Sequence, residues 1–572
     1  MNTIITPQKL TTSALAIALG LLAAFTSNAA PTNAASKAGE SSGLAAALLA
    51  AGHARATADT TSATDYYAKA LALDPANTSL LQRSYSAAAT GGKMDSAIAA
   101  AKKYYESEKE PLPLAGLLLA TGHFQAKEYD QAWSYIDRIK SDSYLGFALP
   151  MFRAWAQAAR NTPDAAIAEL APLQSTQGLG DVFHIMSGLL NENLGRKDDA
   201  LIHYDALAAT LDRQPLSVVR IIAAGYHRLG KSNLAKEIVT KFNKGRGAGI
   251  GLYGINESLM DGERFRKKIT PADGMAESFF AVSQLLSQSA GNGLADVAVA
   301  FGQMALYLSP DLPFARWTIG STLAARARFD EANTMLNLIR KTDATYLAAQ
   351  MQVVDNYEAQ GKRGDSLARL QAVGKDFPTI AEVQMAMGNL LRRDEKFAES
   401  VLAYDKAQQL ITDASAESWS LYYGRGIALE RTKQWARAES DFKRALQLNP
   451  DQPDVLNYLG YSWIDRGENL PEARRLIELA YSKSPENGFI VDSLGWAMYL
   501  AGDYKNATTY LEKAVELEPA DATLNDHLGD AYWKVGRKNE ARFQWRRALT
   551  LKPEEKQRTT IQAKIDQGLA RN

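Results

Sequence analysis

The apolar pattern repeats at a fixed distance, clearest toward the C-terminal end. Leu459-Gly460, Leu494-Gly495 and Leu528-Gly529 recur at steps of 35 and 34 residues. Ala473, Ala507 and Ala541 recur at steps of 34, as do Ala480, Ala514 and Ala548, and Pro485, Pro519 and Pro553. Gly467, Gly502 and Gly536 mark a turn inside each unit. Within a half-unit the apolar residues return at helical spacing, so each unit predicts a helix, a turn and a second helix. The small Gly and Ala positions suit close approach of two helix backbones. Phe442, Leu511 and Trp545 fill the space between units, and each proline ends the second helix because it cannot continue the hydrogen-bond ladder. A unit of this size cannot bury its apolar face alone, so units must stack.

This L-G-x2-Y … A-x3-F … P pattern resembles the tetratricopeptide repeat (TPR). The resemblance implies an all-α TPR superhelical solenoid of antiparallel helix pairs. Working backwards, the alanine phase persists at Ala63, Ala97, Ala132, Ala166, Ala200 and Ala235, then at Ala298 and Ala332, and again from Ala438. The rhythm breaks between Gly245 and Gly274, where glycines cluster and Pro271 intervenes. The expected organisation is two arrays joined by an irregular segment. Residues 1–29 form a signal peptide, 30–43 a leader, 44–244 an N-terminal array, 245–275 the joint, 276–556 a C-terminal array, and 557–572 a capping helix and tail.

The first residues change the picture of where the chain works. Lys9 precedes an apolar run from Ala14 to Phe25, followed by Ser27-Asn28-Ala29, the order of a secretory signal with cleavage after Ala29. The run of about 12 residues is shorter than the ~20 of a membrane-spanning helix. The expected location is outside the cytoplasm. The chain has no cysteine, which excludes disulfides, thiolate metal sites and N-terminal lipidation. Lys and Arg number 64, as do Asp and Glu, so no basic excess points to nucleic acid.

Candidate chemistry is sparse. Gly225 to Ser232 matches the phosphate-binding G-x4-G-K-[ST] pattern, and Gly249 to Gly254 matches G-x-G-x-x-G. Both motifs need a strand before them, which a helical array does not supply, so a helix turn and a joint are the expected readings. His53, His123, His184, His203, His227 and His527 are dispersed, and no carboxylate pair stands out. No catalytic residue, metal site or cofactor is expected.

Binding is expected on the first helices. With Leu-Gly at repeat positions 7 and 8, positions 2, 5, 9 and 12 share one face. They hold Asp454, Asn457, Tyr461 and Ile464; Phe489, Asp492, Trp496 and Tyr499; and Thr523, Asp526, Asp530 and Trp533, with Tyr423 in the preceding unit. Aromatic rings interleaved with carboxylates suit an apolar, somewhat basic or amide-rich peptide. Trp463 and Tyr532, at position 11, read as packing residues.

The runs Val455 to Trp463, Val491 to Trp496, Asn525 to Trp533 and Phe543 to Arg547 resemble exported alphaproteobacterial TPR proteins. More distantly they resemble the TPR lipoprotein adaptor of the periplasmic carboxyl-terminal processing protease. The resemblance implies a periplasmic scaffold that holds partner proteins, with a protease and cell-wall hydrolases among them. A platform in polysaccharide export or outer-membrane biogenesis is the alternative. One departure is plain, because that adaptor is a lipoprotein and this chain has no cysteine to lipidate.

Overall fold

The computed structural model describes residues 43–569 apart from 58, 109, 247–266, 289–293 and 412–417. The expected signal peptide, its expected cleavage point and almost all of the expected leader lie outside the described residues. So does the G-x-G-x-x-G segment. Among the described residues the only regular structure is helix, arranged as consecutive antiparallel hairpins. No described helix is long and apolar enough to cross a membrane.

Local chemistry sets the hairpin ends. Asp59, Asn77, Asn487, Asp503 and Asp521 accept backbone N–H bonds at helix starts, and Thr270 with Asp273 forms a reciprocal capping box. Helices Leu470–Lys483 and Tyr504–Leu517 end two residues before Pro485 and Pro519, as expected of those prolines. Inside each hairpin the two helices approach closely. A β-carbon on Gly529 would lie 2.4 Å from the Trp545 indole, so the helix-propensity cost of ~1 kcal/mol for glycine is outweighed by the contact it permits. The phased alanines Ala63, Ala132, Ala235, Ala332, Ala473 and Ala541 are all buried.

The chain forms two compact units, Met1–Val373 and Gly374–Asn572. The division falls inside helix Arg363–Asp376, not at the glycine-rich break. Helix Pro271–Ser287 begins within the segment expected to be irregular, started by Pro271 at its first turn and the Thr270 cap.

That helix explains why the first unit extends beyond the break. It lies against the first helices of three earlier hairpins, Leu149–Ala159, Gly180–Asn193 and Leu216–Arg228. Phe279 packs on Phe152 with ring centroids 5.0 Å apart, and Gly274 lies on the fully buried Trp155. Ser278 reaches Met186, Gln284 bonds Ser217, and Arg220 pairs with Glu277 at 2.7 Å. The following helix, Ala295–Leu308, returns to the start of the array. Tyr307 donates to Asp95 at 2.9 Å, Thr90 donates to the Asp296 carbonyl, and beyond it Thr60 donates to Glu331. The first unit therefore closes on itself, with its own helices filling the face that first helices present.

The second unit is a plainer stack. Its helix packing runs between consecutive hairpins, from Ala381–Arg393 to the terminal helix Glu555–Gln567, and a partly exposed ion pair, Arg431 with Glu554 at 3.7 Å, reaches further along the chain. A buried ion pair marks it. Arg425 stands where later repeats have Leu459, Leu494 and Leu528, and its guanidinium grips Asp441 in a two-pronged bond at 2.7 and 2.8 Å. Asp405 takes a third bond.

Candidate partner-binding face

The nine residues singled out from the sequence all lie on first helices of the second unit, but they divide into three groups. The first stands at position 5. Tyr423 meets Tyr458 of the next hairpin edge-on at 6.1 Å and Phe442 at 6.3 Å. Asp492 is buried, and His527 Nδ1 lies 3.0 Å from its carboxylate. Position 5 therefore faces position 6 of the following first helix, and these side chains join hairpins together. Burial draws the His527 pKa down, but the charges of Asp492, Asp526 and Asp530 more than offset this and leave it raised.

The second group belongs to the chain terminus. Lys564 of the terminal helix donates to Asp526 at 2.8 and 2.9 Å and to Asp530 at 2.8 Å. Asp530 also accepts from the Trp545 indole N–H at 2.9 Å. Trp533 packs on Trp545, carries Gly568 against its ring, and has the Lys538 ammonium 3.8 Å from its centroid. Asp526, Asp530 and Trp533 were expected to be open to a partner. In the last hairpin the terminal helix lies over them, because a stack must cover its final apolar face.

The third group stays accessible. Trp496 is sandwiched in a stack, 4.7 Å from the Tyr499 ring and 3.9 Å from His527, nearly parallel to both. Tyr461 is partly buried, and burial first, then the Asp492 and Asp465 charges, push its hydroxyl pKa up. It stays a neutral hydrogen-bond donor. Asn457 is partly buried, and its side-chain carbonyl, which lacks a partner among the described residues, is closed off from solvent and does not belong to the accessible set. Phe489 at the edge is about half exposed. Trp463 and Tyr532 are buried, as position 11 suggested.

The motifs that imitate catalytic loops resolve into repeat geometry. Gly225 lies in helix Leu216–Arg228 against the Tyr204 ring, and Gly230 takes a φ of +79° at the turn before helix Ser232–Arg246. Ser232 Oγ lies 3.1 Å from His227 Nδ1. The phosphate-loop pattern is thus a turn between two helices, with no strand ahead of it.

Histidine spacing concealed three pairs. His527 is tied to Asp492, His184 faces His203, and His123 Nδ1 lies 2.7 Å from the Glu128 carboxylate. None was picked out from sequence separation alone. Among the described residues no three His, Cys, Asp or Glu converge as an ion-holding group.

The family profile described as tetratricopeptide repeat matches residues 419–452, 493–521 and 522–555. The chain carries tetratricopeptide repeats. The TPR repeat-containing protein PA4667 of Pseudomonas aeruginosa is 30% identical over 189 residues, which are 32% of this chain and 31% of that protein. The aspartyl/asparaginyl beta-hydroxylase of Mus musculus is 22% identical over 219 residues, 36% of this chain and 29% of that protein. The chain thus spans about a third of the length of these curated relatives. Among solved structures, the APC/C hetero-tetramer Cut9–Hcn1 aligns over 92% of this chain and 96% of that chain at 12% identity, with a TM-score of 0.38. YrrB, titled a TPR protein with an unusual peptide-binding site, aligns over 34% of this chain and 97% of that chain at 17% identity, with a TM-score of 0.26.

Proposed function

We propose that this TPR protein is a non-catalytic periplasmic scaffold that holds an extended segment of a partner protein on the first-helix face of its second unit. Delivery of the bound partner to a periplasmic protease is the finer form of the proposal. The observation that carries it is the contrast between the units. In the first, helices Pro271–Ser287 and Ala295–Leu308 occupy the face a partner would use. In the second, Tyr461 and the Trp496–Tyr499 stack remain partly exposed on successive first helices. Aromatic rings give contact area at low entropic cost, and the Tyr461 hydroxyl offers a bond to a peptide backbone.

Crosslinking in intact cells, comparing wild type with Tyr461→Ala/Trp496→Ala, tests it. Recovery of a protease or cell-wall hydrolase by the wild type, lost from a variant with unchanged circular dichroism, is expected. Capture that persists in the folded variant would move binding off this face. Capture of polymer-export or outer-membrane assembly proteins alone would replace the protease role.

A further inference from the structure

His184 and His203 stand opposite each other in one hairpin of the first unit, on helices Gly180–Asn193 and Lys197–Ala208. Their Nδ1 atoms are 3.0 Å apart, and their rings are tilted by 51°. Phe183 makes T-shaped contacts with both rings, at 5.3 and 5.4 Å. Both imidazoles are partly buried. His203 also lines a cavity of about 270 Å³ with Phe183, Asn191 and Gln174.

Structural necessity does not account for this pair. Two imidazoles with facing Nδ1 atoms form one hydrogen bond at most, and only when one is the donor tautomer. A four-coordinate ion held by histidine at about 2.0–2.1 Å sets its nitrogens about 3.3 Å apart, so the two nitrogens must part by a few tenths of an ångström and each ring must turn by roughly 35° to aim at the ion. Ligation requires neutral imidazole. The ring that accepts in the Nδ1···Nδ1 contact is necessarily neutral, which meets that need for one of the two. Asp199, one helical turn earlier and exposed, adds negative charge nearby.

We propose that His184 and His203 form a two-histidine site for a divalent transition-metal ion of the zinc–copper class. Imidazole nitrogens select such ions over magnesium or calcium. Solvent completes the coordination shell, since no third side-chain ligand converges among the described residues. The site lies outside the partner-binding face and does not depend on it.

The test uses the full chain without a histidine tag. Zinc titration by calorimetry is expected to show one saturable equivalent. His184→Gln and His203→Gln should each weaken it at least tenfold, and His123→Gln should leave it unchanged. Circular dichroism establishes that the variants fold. The copper(II) complex of the wild type supplies a readout independent of any variant, because its electron paramagnetic resonance spectrum counts the imidazole nitrogens. Two are expected. Absence of a saturable equivalent, binding unaltered in both glutamine variants, or a spectrum with fewer than two imidazoles would overturn the proposal.

Discussion

Replacing Gly274 with alanine should destabilise the first unit, although helix propensity alone predicts the reverse. Gly274 lies in the first turns of helix Pro271–Ser287, and a β-carbon there would come 2.2 Å from the Trp155 ring. Trp155 is fully buried, so the indole cannot swing away. Restoring ordinary contact needs a shift of about 1 Å in a packed interior, which costs about 1–3 kcal/mol. Glycine-to-alanine in a helix returns about 0.5–1 kcal/mol. The expected net loss is about 1–2 kcal/mol. Gly52, within helix Leu44–Ala56 of the same unit, is the matched control because nothing lies within 4 Å of its added β-carbon. Gly52→Ala should stabilise by about 0.5–1 kcal/mol. Urea titration followed by Trp fluorescence and circular dichroism should move the two midpoints in opposite directions, by roughly half a molar for Gly274→Ala. If both variants are stabilised, helix Pro271–Ser287 is not seated on Trp155, and the closed first unit is wrong.

Two further outcomes concern the second unit. Arg425→Leu should cost about 3–5 kcal/mol in urea unfolding, because Asp441 is left buried and unpaired; Arg425→Leu/Asp441→Leu should recover most of it. The raised pKa of His527 means that its bond to Asp492 contributes fully below the unfolded value of about 6.5 and is lost as pH rises through the folded value. The stability gap between wild type and His527→Gln should therefore narrow from pH 6 toward pH 9, and a gap that widens would contradict the pairing.

The hairpin stack was legible because its contacts are local. The alanine phase marks where a second helix approaches its own first helix, and those residues are buried as the spacing implied. The apparent gap between Ala332 and Ala438 was legible too, had serine been allowed the same place. Ser366 and Ser400 continue the 34-residue step, are fully buried, and donate to the carbonyls of Val354 and Gly388. What the spacing does not encode is the rotation accumulated over many repeats. Phe152 and Phe279 meet across more than a hundred residues, and no local pattern announces it. The face assignment suffered for a related reason. Periodicity placed Tyr423 and Asp492 on the right side of their helices, but the twist between successive repeats turned position 5 toward the next hairpin. Asp526 and Asp530 were lost to Lys564, whose partners could not be read from a terminal helix with charges all round.

Closure of the first unit changes how that part of the chain must acquire its structure. A linear stack can begin ordering as soon as its first hairpins exist and then grow by addition. Here the hairpins around Thr60 and Asp95 pack on their neighbours and are tied as well to Asp296, Tyr307 and Glu331, far along the chain. Contacts so distant along the sequence slow folding, since loop closure must be met before they form. The described helices between about residues 44 and 331 therefore have to be available before the unit can lock, and its opening should involve them together. The second unit, built from successive neighbours, can fray from its terminal helix. Native-state hydrogen exchange should accordingly show one cooperative block for the first unit and graded protection along the second.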